Sequence, residues 1–585
     1  MKMDVATLKG PGVAKSAHVN MMTDTIITNM SPAGLRIIMR SLLAAHPSAV
    51  STFEAETRRY ITAAMMTNSD TKTSPTPDSK SGLETLKTRL QSIRCMIGCG
   101  LCFQSLPLLG DLAIQAVQMC VPTSQGDKDA IPNALRDDFL AAVDGDVVQA
   151  VTAIEKSLVS DRGRSALSSD DREAVTGLHQ TLRDCHAMTA EQRLEFPYTR
   201  AFLATAGMLG EKASLQDKET AAPAEAATAN NSDGHGNEYE TFALNGRQLP
   251  RIFAGLWQLS SSAWGSAPTS KIISHLSSHV TSGLTAFDMA DHYGDAEILV
   301  GMFLSSSPRR DRIFAATKLC VFHPMTVTKD AIKANITERC RRLQSERLDL
   351  LQFHWQDYND VQYLDALKFI VEDERVPTLG LCNFDTEHLE KVIAAGFSLV
   401  DSRPTALMGA VCEKHGVKLL TYGTLCGGFL SDKWVGKPEP GLYEESITPS
   451  QRKYHGVIRA WGGWSLFQQL LQVLAAIATK HGVSISNVAT RWVLDFPYVG
   501  AVLVGTRVGI SEHIEENAAS FGWSLDREDK AQIDGILAAI SFVLGDLVGF
   551  LNRLISHQLG PIPGSSIRCS VFPKARFLSR ITRLD

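Results

Sequence analysis

Short apolar and β-branched runs alternate with helical patterns from residue 247 to residue 540. The runs are "RIFAGLWQL", "TAFDMA", "IFAATKL", "LDLLQFHW", "TLGLCNF", "VKLLTYGTL" and "VGAVLVGT". Strands without polar alternation are buried on both faces, and helices between such strands indicate a parallel sheet. Repetition of this unit over a single region predicts an α/β fold, a (β/α)8 TIM barrel. Polar residues at strand ends are then the candidates for chemistry, because active sites of this fold lie there.

The chain before this region has a different pattern. Residues 28–215 show helical periodicity and capped helix starts without strand alternation, and they predict a separate all-α domain of unknown function. A stretch rich in Ala, Asn, Glu and Gly at 216–246 predicts a disordered linker, and residues 1–27 a flexible N-terminus. Residues 541–585 do not continue the barrel pattern and are interpreted as an atypical tail.

Composition argues against several classes of function. The net charge is −5, so no bulk basic character favours nucleic-acid binding. The most apolar C-terminal stretch, "ILAAISFVLGDLVGFLNRLI", is interrupted by Asp546 and Arg553, so we expect no membrane span. The eleven scattered cysteines indicate free thiols in a reducing compartment. The N-terminus has no apolar signal-peptide core, and we therefore expect a cytoplasmic protein.

Four polar residues close successive predicted strands. Asp288 and Tyr293 end the second in "FDMADHY", Lys318 ends the third and His354 ends the fourth. A lysine ammonium beside a tyrosine favours the phenolate, and a carboxylate keeps a buried lysine charged. A histidine can donate a hydrogen bond to a carbonyl oxygen. The set predicts protonation of a developing alkoxide by Tyr293 as general acid, while the hydride must come from a nicotinamide cofactor.

The order Asp-x4-Tyr, then Lys, then His resembles the aldo-keto reductase family. The resemblance covers residues 247–540 and extends to "GLWQLS", "DMADHYGDAE", "LGLCNFD", "TYGTLCGG" and "VGISEHIEEN". It implies a TIM barrel that binds NADP(H) without a Rossmann motif and reduces a small aldehyde or ketone to an alcohol. By the family pattern Tyr293 is the proton donor, Lys318 and Asp288 tune it, and His354 orients the substrate carbonyl.

The same resemblance implies a set of cofactor-binding positions. Cys382 and Asn383 stand where the family has a Ser-Asn pair on the nicotinamide carboxamide, and Tyr422 where it stacks an aromatic ring. It further implies that the backbone of Leu425, Gly427 and Gly428 lines the pyrophosphate and that Arg507 pairs with the 2′-phosphate. Adenine would contact Glu516 and Asn517. Two tryptophans, Trp257 and Trp355, would form walls of the active site.

The chain departs from the family pattern after the fifth helix. There "EHLEKVIAAG" runs directly into "FSLVDSRP", where the family has a sixth strand ending in a glutamine. We therefore expect a truncated sixth strand near 395–401. Because strand number and shear are linked in a barrel, the loss of a strand affects whether the barrel can close. The gap favours one alternative function, a catalytically impaired NADP(H)-binding module whose helical domain binds a protein partner.

Another alternative rests on "RCMIGCGLCF". The spacing of Cys95, Cys99 and Cys102 is that of radical-SAM enzymes, which need an exposed loop to bind an iron–sulfur cluster. The same spacing puts the thiols on one stripe of a helix, whose other stripe is apolar: Leu83, Leu86, Leu90, Ile93 and Ile97. Free cysteine is among the most buried residue types, so we interpret the segment as a buried helix and expect no metal.

Overall fold

The computed structural model describes twelve stretches of the chain. Within these stretches, every helix is too short or too polar to cross a bilayer. The described residues are 30–67, 80–120, 132–160, 163–164, 166–211, 239–260, 264–265, 267–322, 325–384, 408–444, 446–544 and 569–573.

The first part of the chain is a bundle of seven α-helices over the described residues up to 211. They are α1 (Pro32–Ala45), α2 (Val50–Thr67), α3 (Lys80–Gly98), α4 (Cys102–Gln118), α5 (Asn133–Ser157), α6 (Ser169–Glu191) and α7 (Thr199–Leu209). Ser31 begins α1 by accepting a hydrogen bond from the Gly34 N–H, with Pro32 at the first helical position. The strands β1 (Val159–Ser160) and β2 (Gly163–Arg164) form a small hairpin that the all-helical prediction lacks.

The cysteine segment is helical on both sides of a break. The predicted apolar stripe of α3 is buried, from Leu83 to Ile97, and this part of the interpretation is confirmed. The helix nevertheless ends at Gly98, because Gly100 adopts a left-handed conformation (φ +83°) and Leu101 N–H bonds back to the Met96 carbonyl. Among the described residues, Cys95, Cys99 and Cys102 are not part of any group of ligand atoms close enough to hold a metal, and Cys95 is exposed while Cys99 and Cys102 are buried.

A short hairpin precedes the barrel and shortens the predicted linker. Strands β3 (Thr241–Leu244) and β4 (Arg247–Pro250) pair antiparallel around the turn at Asn245 and Gly246. The prediction that residues up to 246 are disordered is therefore wrong for 241–246. The reason is that Phe242 and Leu244 alternate with exposed residues and bury themselves under the barrel.

Seven parallel strands form most of a closed barrel, which confirms the α/β barrel prediction. They are β5 (Ile252–Gly255), β6 (Ala286–Asp288), β7 (Phe314–Val321), β8 (Leu350–Trp355), β9 (Thr378–Cys382), β10 (Lys418–Tyr422) and β11 (Val499–Gly505). Each strand pairs in parallel with the next along the chain except that β9 and β10 are not paired, and β11 closes onto β5. Their carboxyl ends therefore meet on one face.

The eighth strand comes from the carboxyl-terminal tail. Strand β12 (Cys569–Pro573) lies between β9 and β10 and is antiparallel to both, with Cys569 opposite Cys382 and Leu420. This is the place that a sixth parallel strand would occupy. The segment near 395–401, where truncation was predicted, lies outside the described residues. A tail segment in the barrel wall was not predicted, because strand pairing over such a separation leaves no local pattern.

Ten helices accompany the barrel within the described residues. They are α8 (Thr269–Thr281), α9 (Ala296–Ser306), α10 (Lys329–Arg342), α11 (Tyr363–Glu372), α12 (Met408–His415), α13 (Pro449–Trp461), α14 (Gly463–His481), α15 (Ile485–Leu494), α16 (Ile514–Ala518) and α17 (Arg527–Leu544). Helix α17 runs four residues past the boundary predicted at 540.

The helical bundle packs directly on the barrel. Ile298, on α9, belongs to the same buried cluster as the apolar residues of the bundle, and Met302 packs against that cluster. The sequence "AEILVGMF" explains this contact, because it has no polar stripe and α9 must be covered on both sides.

Candidate active site

Lys318 and Asp288 form a buried ion pair between β7 and β6. Asp288 ends β6 as predicted, whereas Lys318 lies within β7, because this strand continues past its predicted end to Val321. The ammonium lies 2.6 Å from both carboxylate oxygens and donates to the Met289 carbonyl at 2.6 Å. Gln352 adds a bond from Nε2 to Asp288 Oδ1 at 2.8 Å. The charges are thus compensated inside the protein, as a buried ion pair requires. Gln352 was missed in the sequence, although it stands two residues before His354 on the same strand face.

Tyr293 faces this pair from the turn after β6. Its side chain is buried, and the Lys318 ammonium lies 5.3 Å from the centre of its ring. The turn is tight, because Tyr293 N–H donates to the Ala290 carbonyl and its own carbonyl accepts from Ala296 N–H at 3.1 Å. The structure therefore brings Asp288, Tyr293 and Lys318 together as one unit in which a cation stands beside a phenol.

His354 completes the group at the end of β8. Burial above all, with the positive charges of His292 and Lys318, lowers the pKa of His354 to about 4. The ring is therefore neutral near pH 7, and its buried Nδ1 has no hydrogen-bond partner among the described residues. Phe322 lies 5.1 Å from the ring of His354 and also contacts His292. A neutral imidazole with an unused polar atom suits a substrate oxygen.

The end of β9 contains the two residues predicted to bind the nicotinamide carboxamide. Cys382 is fully buried, and Asn383 follows in a left-handed conformation with φ +65°. The Asn383 carbonyl accepts a hydrogen bond from the Tyr358 hydroxyl at 2.9 Å, while its side-chain Oδ1 is buried and unpartnered within the described part of the chain. An unpaired buried amide oxygen is costly unless a ligand completes it, and a carboxamide is a group of the right chemistry.

The segment after β10 contains the residues predicted for the pyrophosphate path. Leu425 begins a short turn in which Gly427 and Gly428 have φ values of +66° and +90°. A Cβ at Gly427 would lie 2.8 Å from the carbonyl oxygen of Ser450, so helix α13 packs directly on this turn. The Lys453 ammonium, on α13, lies 5.3 Å from the centre of the Tyr422 ring, and the sequence reasoning did not identify this neighbour.

The predicted adenosine-binding residues follow β11. Arg507 is exposed and lines a cleft between the barrel and the helical bundle, where Gln149 and Arg200 stand on the opposite wall. Glu516 lies on α16 and pairs with His513 at 3.0 Å, and Asn517 is half-buried beside it. All three residues follow β11, and Arg507 shares its cleft with Gly294 and Asp295, the two residues after Tyr293.

The two predicted wall tryptophans have different surroundings. Trp257 is half-buried after β5, and its ring centre lies 5.6 Å from that of Trp264. Trp355 is buried in the core, and its indole N–H donates to the carbonyls of Asp357 and Asp360 at 2.6 and 3.1 Å. The indole of Trp355 therefore holds the loop from Asp357 to Asp360 that follows β8.

Charged residues that the sequence reasoning did not identify hold the turn around Tyr293. Asp291 accepts from the Cys320 N–H at 2.9 Å and lies beside His292 and Arg339. Burial alone would raise the pKa of Asp291, but the hydrogen bond from His292 and the charge of Arg339 lower it to about 2. Asp291 with His292 and Cys320 could in geometry hold a cation, yet the Arg339 guanidinium already lies 3.5 Å from the carboxylate.

Fully buried Glu297 forms a second anchor beyond this turn. It accepts from the Thr317 hydroxyl at 2.5 Å and pairs with Arg339 at 3.1 Å and Arg342 at 2.9 Å. These arginines come from α10, so the turn is fixed to the neighbouring helix as well as to the strands. The position of these arginines in the sequence does not predict this role, because they lie on a helix and not at the end of a strand.

Comparisons with known proteins point to one family. The model of the aldo/keto reductase family matches residues 251–538, and no family model matches the helical region before it. The aldo-keto reductase YhdN of Bacillus subtilis is 24% identical over 318 residues, which cover 51% of this chain and 93% of that protein. Flagellar radial spoke protein 5 of Chlamydomonas reinhardtii is 29% identical over 253 residues, 37% of this chain and 47% of that protein.

Solved structures match the same part of the chain. A glycerol dehydrogenase from Gluconobacter oxydans has a TM-score of 0.43 at 24% identity and covers 56% of this chain and 98% of its own. An aldo/keto reductase from Klebsiella pneumoniae in complex with NADP and acetate has a TM-score of 0.39 at 20% identity, over 51% and 95%. On the strength of the family model and the relatives in sequence, residues 251–538 of this chain belong to the aldo/keto reductase family.

Proposed function

We propose that this chain reduces an aldehyde or ketone to an alcohol with NADPH, and that Tyr293 is the general acid. The observation that carries the proposal is the buried Asp288–Lys318 pair with its ammonium 5.3 Å from the Tyr293 ring. The family to which residues 251–538 belong supports the reaction class. A complex of a related Klebsiella pneumoniae reductase with NADP supports the choice of cofactor.

Several described residues fit such a cofactor. Asn383 offers a buried amide oxygen that has no partner among the described residues, and the turn at Gly427 and Gly428 offers backbone groups after β10. Arg507 offers an exposed guanidinium to the 2′-phosphate, whose geometry matches a planar fork. When bound, the nicotinamide supplies a hydride to the carbonyl carbon.

The chain's own residues manage the proton and the substrate oxygen. Neutral His354 donates a hydrogen bond to the carbonyl oxygen and holds it near the Tyr293 hydroxyl. Tyr293 transfers its proton to that oxygen as negative charge develops there, and the phenolate that remains is stabilised by the Lys318 ammonium. Asp288 keeps Lys318 charged and in place. The ring of Phe322, 5.1 Å from that of His354, covers one side of the imidazole.

The test is oxidation of NADPH against a panel of aldehydes and ketones, with Tyr293→Phe as the critical variant. We expect turnover by the wild type and a loss of at least about 100-fold in Tyr293→Phe, since general acid catalysis contributes on that order. Tyr60→Phe is the matched control, because Tyr60 is 75% exposed on α2 and should leave turnover unchanged. Turnover by Tyr293→Phe at the wild-type rate would disprove the assignment.

The competing hypothesis is an NADP(H)-binding module without catalysis. Binding of NADPH with no turnover over the whole panel would favour it. We also propose a reducing, cytoplasmic location, which is supported by the odd number of cysteines, eleven, scattered along the chain.

A further inference from the structure

The helical bundle reaches the active-site turn through one buried arginine. Arg200, on α7, is 5% exposed and donates from Nε to Asp144 Oδ2 of α5 at 2.6 Å. Its Nη1 donates to Asp295 Oδ2 at 2.5 Å, across the contact between the bundle and the barrel. Nη2 donates to the Ala141 carbonyl at 3.2 Å, so each guanidinium nitrogen has a partner. The arginine is held rigidly by the bundle and offers one edge to the barrel.

Asp295 stands two residues after Tyr293, in the same turn. The turn is closed by the bond from Ala296 N–H to the Tyr293 carbonyl, and helix α9 begins at Ala296. On the opposite side, the Gly294 carbonyl accepts a bond from Arg342 Nη2 at 2.5 Å. Residues 293–296 are therefore held between an arginine of the barrel and an arginine of the bundle.

Other contacts make the docking specific. Arg342 also pairs with Glu155 of α5 at 3.5 Å, so the second arginine of the turn is linked to the bundle as well. Gly207 of α7 lies so near Arg341 that a Cβ there would overlap the guanidinium. Together with the shared apolar core around Ile298, these contacts place α5 and α7 against α9 and α10.

We propose that Arg200 is a positioning residue for Tyr293, acting through Asp295, so that the helical bundle is part of the reductase's catalytic unit. This inference rests on the proposed function. Loss of the guanidinium would leave Asp144 and Asp295 as buried carboxylates without their shared counter-ion. The turn would then relax away from the bundle, and the Tyr293 hydroxyl would move relative to a substrate held by His354.

The competing explanation is that Arg200 only joins the bundle to the barrel and does not position Tyr293. A control variant elsewhere in the bundle distinguishes these two roles. Arg94, on α3, pairs with buried Asp146, on α5, at 2.6 Å, so both partners belong to the bundle. Arg94→Met therefore removes from the same bundle another arginine that pairs with a buried carboxylate, although the Arg94 side chain is 37% exposed. Arg200→Met removes the pair that contacts the turn. Asp295→Asn provides a second, nearly isosteric test from the barrel side in case Arg200→Met does not fold.

The experiment measures steady-state kinetics, NADPH binding and amide hydrogen exchange on the full chain. We expect Arg200→Met and Asp295→Asn to lower kcat by about tenfold or more, since a 1 Å misplacement of a reacting group can cost about 100-fold. NADPH affinity should stay within about twofold, a change of under 0.5 kcal/mol. Exchange in residues 289–297 should become faster. Arg94→Met should change neither kcat nor the exchange of 289–297.

Two results would overturn the inference. One is unchanged kcat and unchanged exchange of 289–297 in a folded Arg200→Met or Asp295→Asn protein. The other is an equal loss of kcat in Arg94→Met, which would show a general effect of bundle stability. If the wild type has no turnover, the proposed function fails on its own terms. The exchange of 289–297 still decides whether Arg200 holds the turn.

Discussion

Replacement of Lys318 by methionine tests the site most directly, because this residue has two separable roles. Methionine keeps much of the apolar stem and removes the charge. The variant leaves Asp288, 3% exposed, without its counter-ion. Breaking a buried pair in this way costs about 3–5 kcal/mol of folding free energy. The variant also removes the cation from beside Tyr293.

The effect on catalysis follows from the distance. With the ammonium 5.3 Å from the ring centre and an effective dielectric constant of about 20, its attraction for a phenolate is about 3 kcal/mol. That charge develops as Tyr293 gives up its proton, so most of this energy is lost from the transition state. Because about 1.4 kcal/mol is tenfold in rate, we expect kcat to fall by about 100-fold.

The double variant Lys318→Met with Asp288→Asn separates the two roles. A neutral pair still lets residue 288 accept the bond from Gln352, so urea unfolding should show that most of the lost stability returns. NADPH turnover should not return, since the cation is still missing. Recovery of turnover together with stability would refute the reasoning, as would a folded Lys318→Met protein with more than about a third of the wild-type kcat.

Two further predictions concern the cofactor and pH. Arg507→Met should raise KM for NADPH by about 10- to 100-fold, the usual worth of hydrogen bonds to a charged group, and leave KM for NADH nearly unchanged. An equal effect on both cofactors would count against a 2′-phosphate contact. For pH, the folded His354 has a pKa of about 4, below its unfolded value of about 6.5. The unfolded state therefore binds more protons between these values, and stability falls by about 3 kcal/mol as pH decreases from about 6.5 to 4. Urea unfolding of wild type and His354→Gln over this range should show a shallower loss in the variant, and parallel curves would contradict the low pKa.

Local patterns predicted the barrel and the places of its polar residues. Buried strands between helices indicate a parallel sheet, and strand ends of such a barrel meet on one face. For that reason the sequence alone predicts that Asp288, Lys318 and His354, which are distant in the chain, lie close together. The motif at Tyr293 could be placed with them, since it follows its strand within one turn.

Only the tertiary structure decided how that group is held. Arg339 and Arg342 support the turn from a helix, and Arg200 supports it from the bundle, through contacts that no spacing along the chain records. Spacing along the chain likewise does not record the pairing of the tail strand at 569–573 with β9. It also does not record the break of the cysteine helix at Gly98–Leu101. Strand and helix periods report which face of an element is apolar, because burial repeats with the backbone geometry. Which partner covers that face, and which charge meets a buried carboxylate, depends on the whole folded chain.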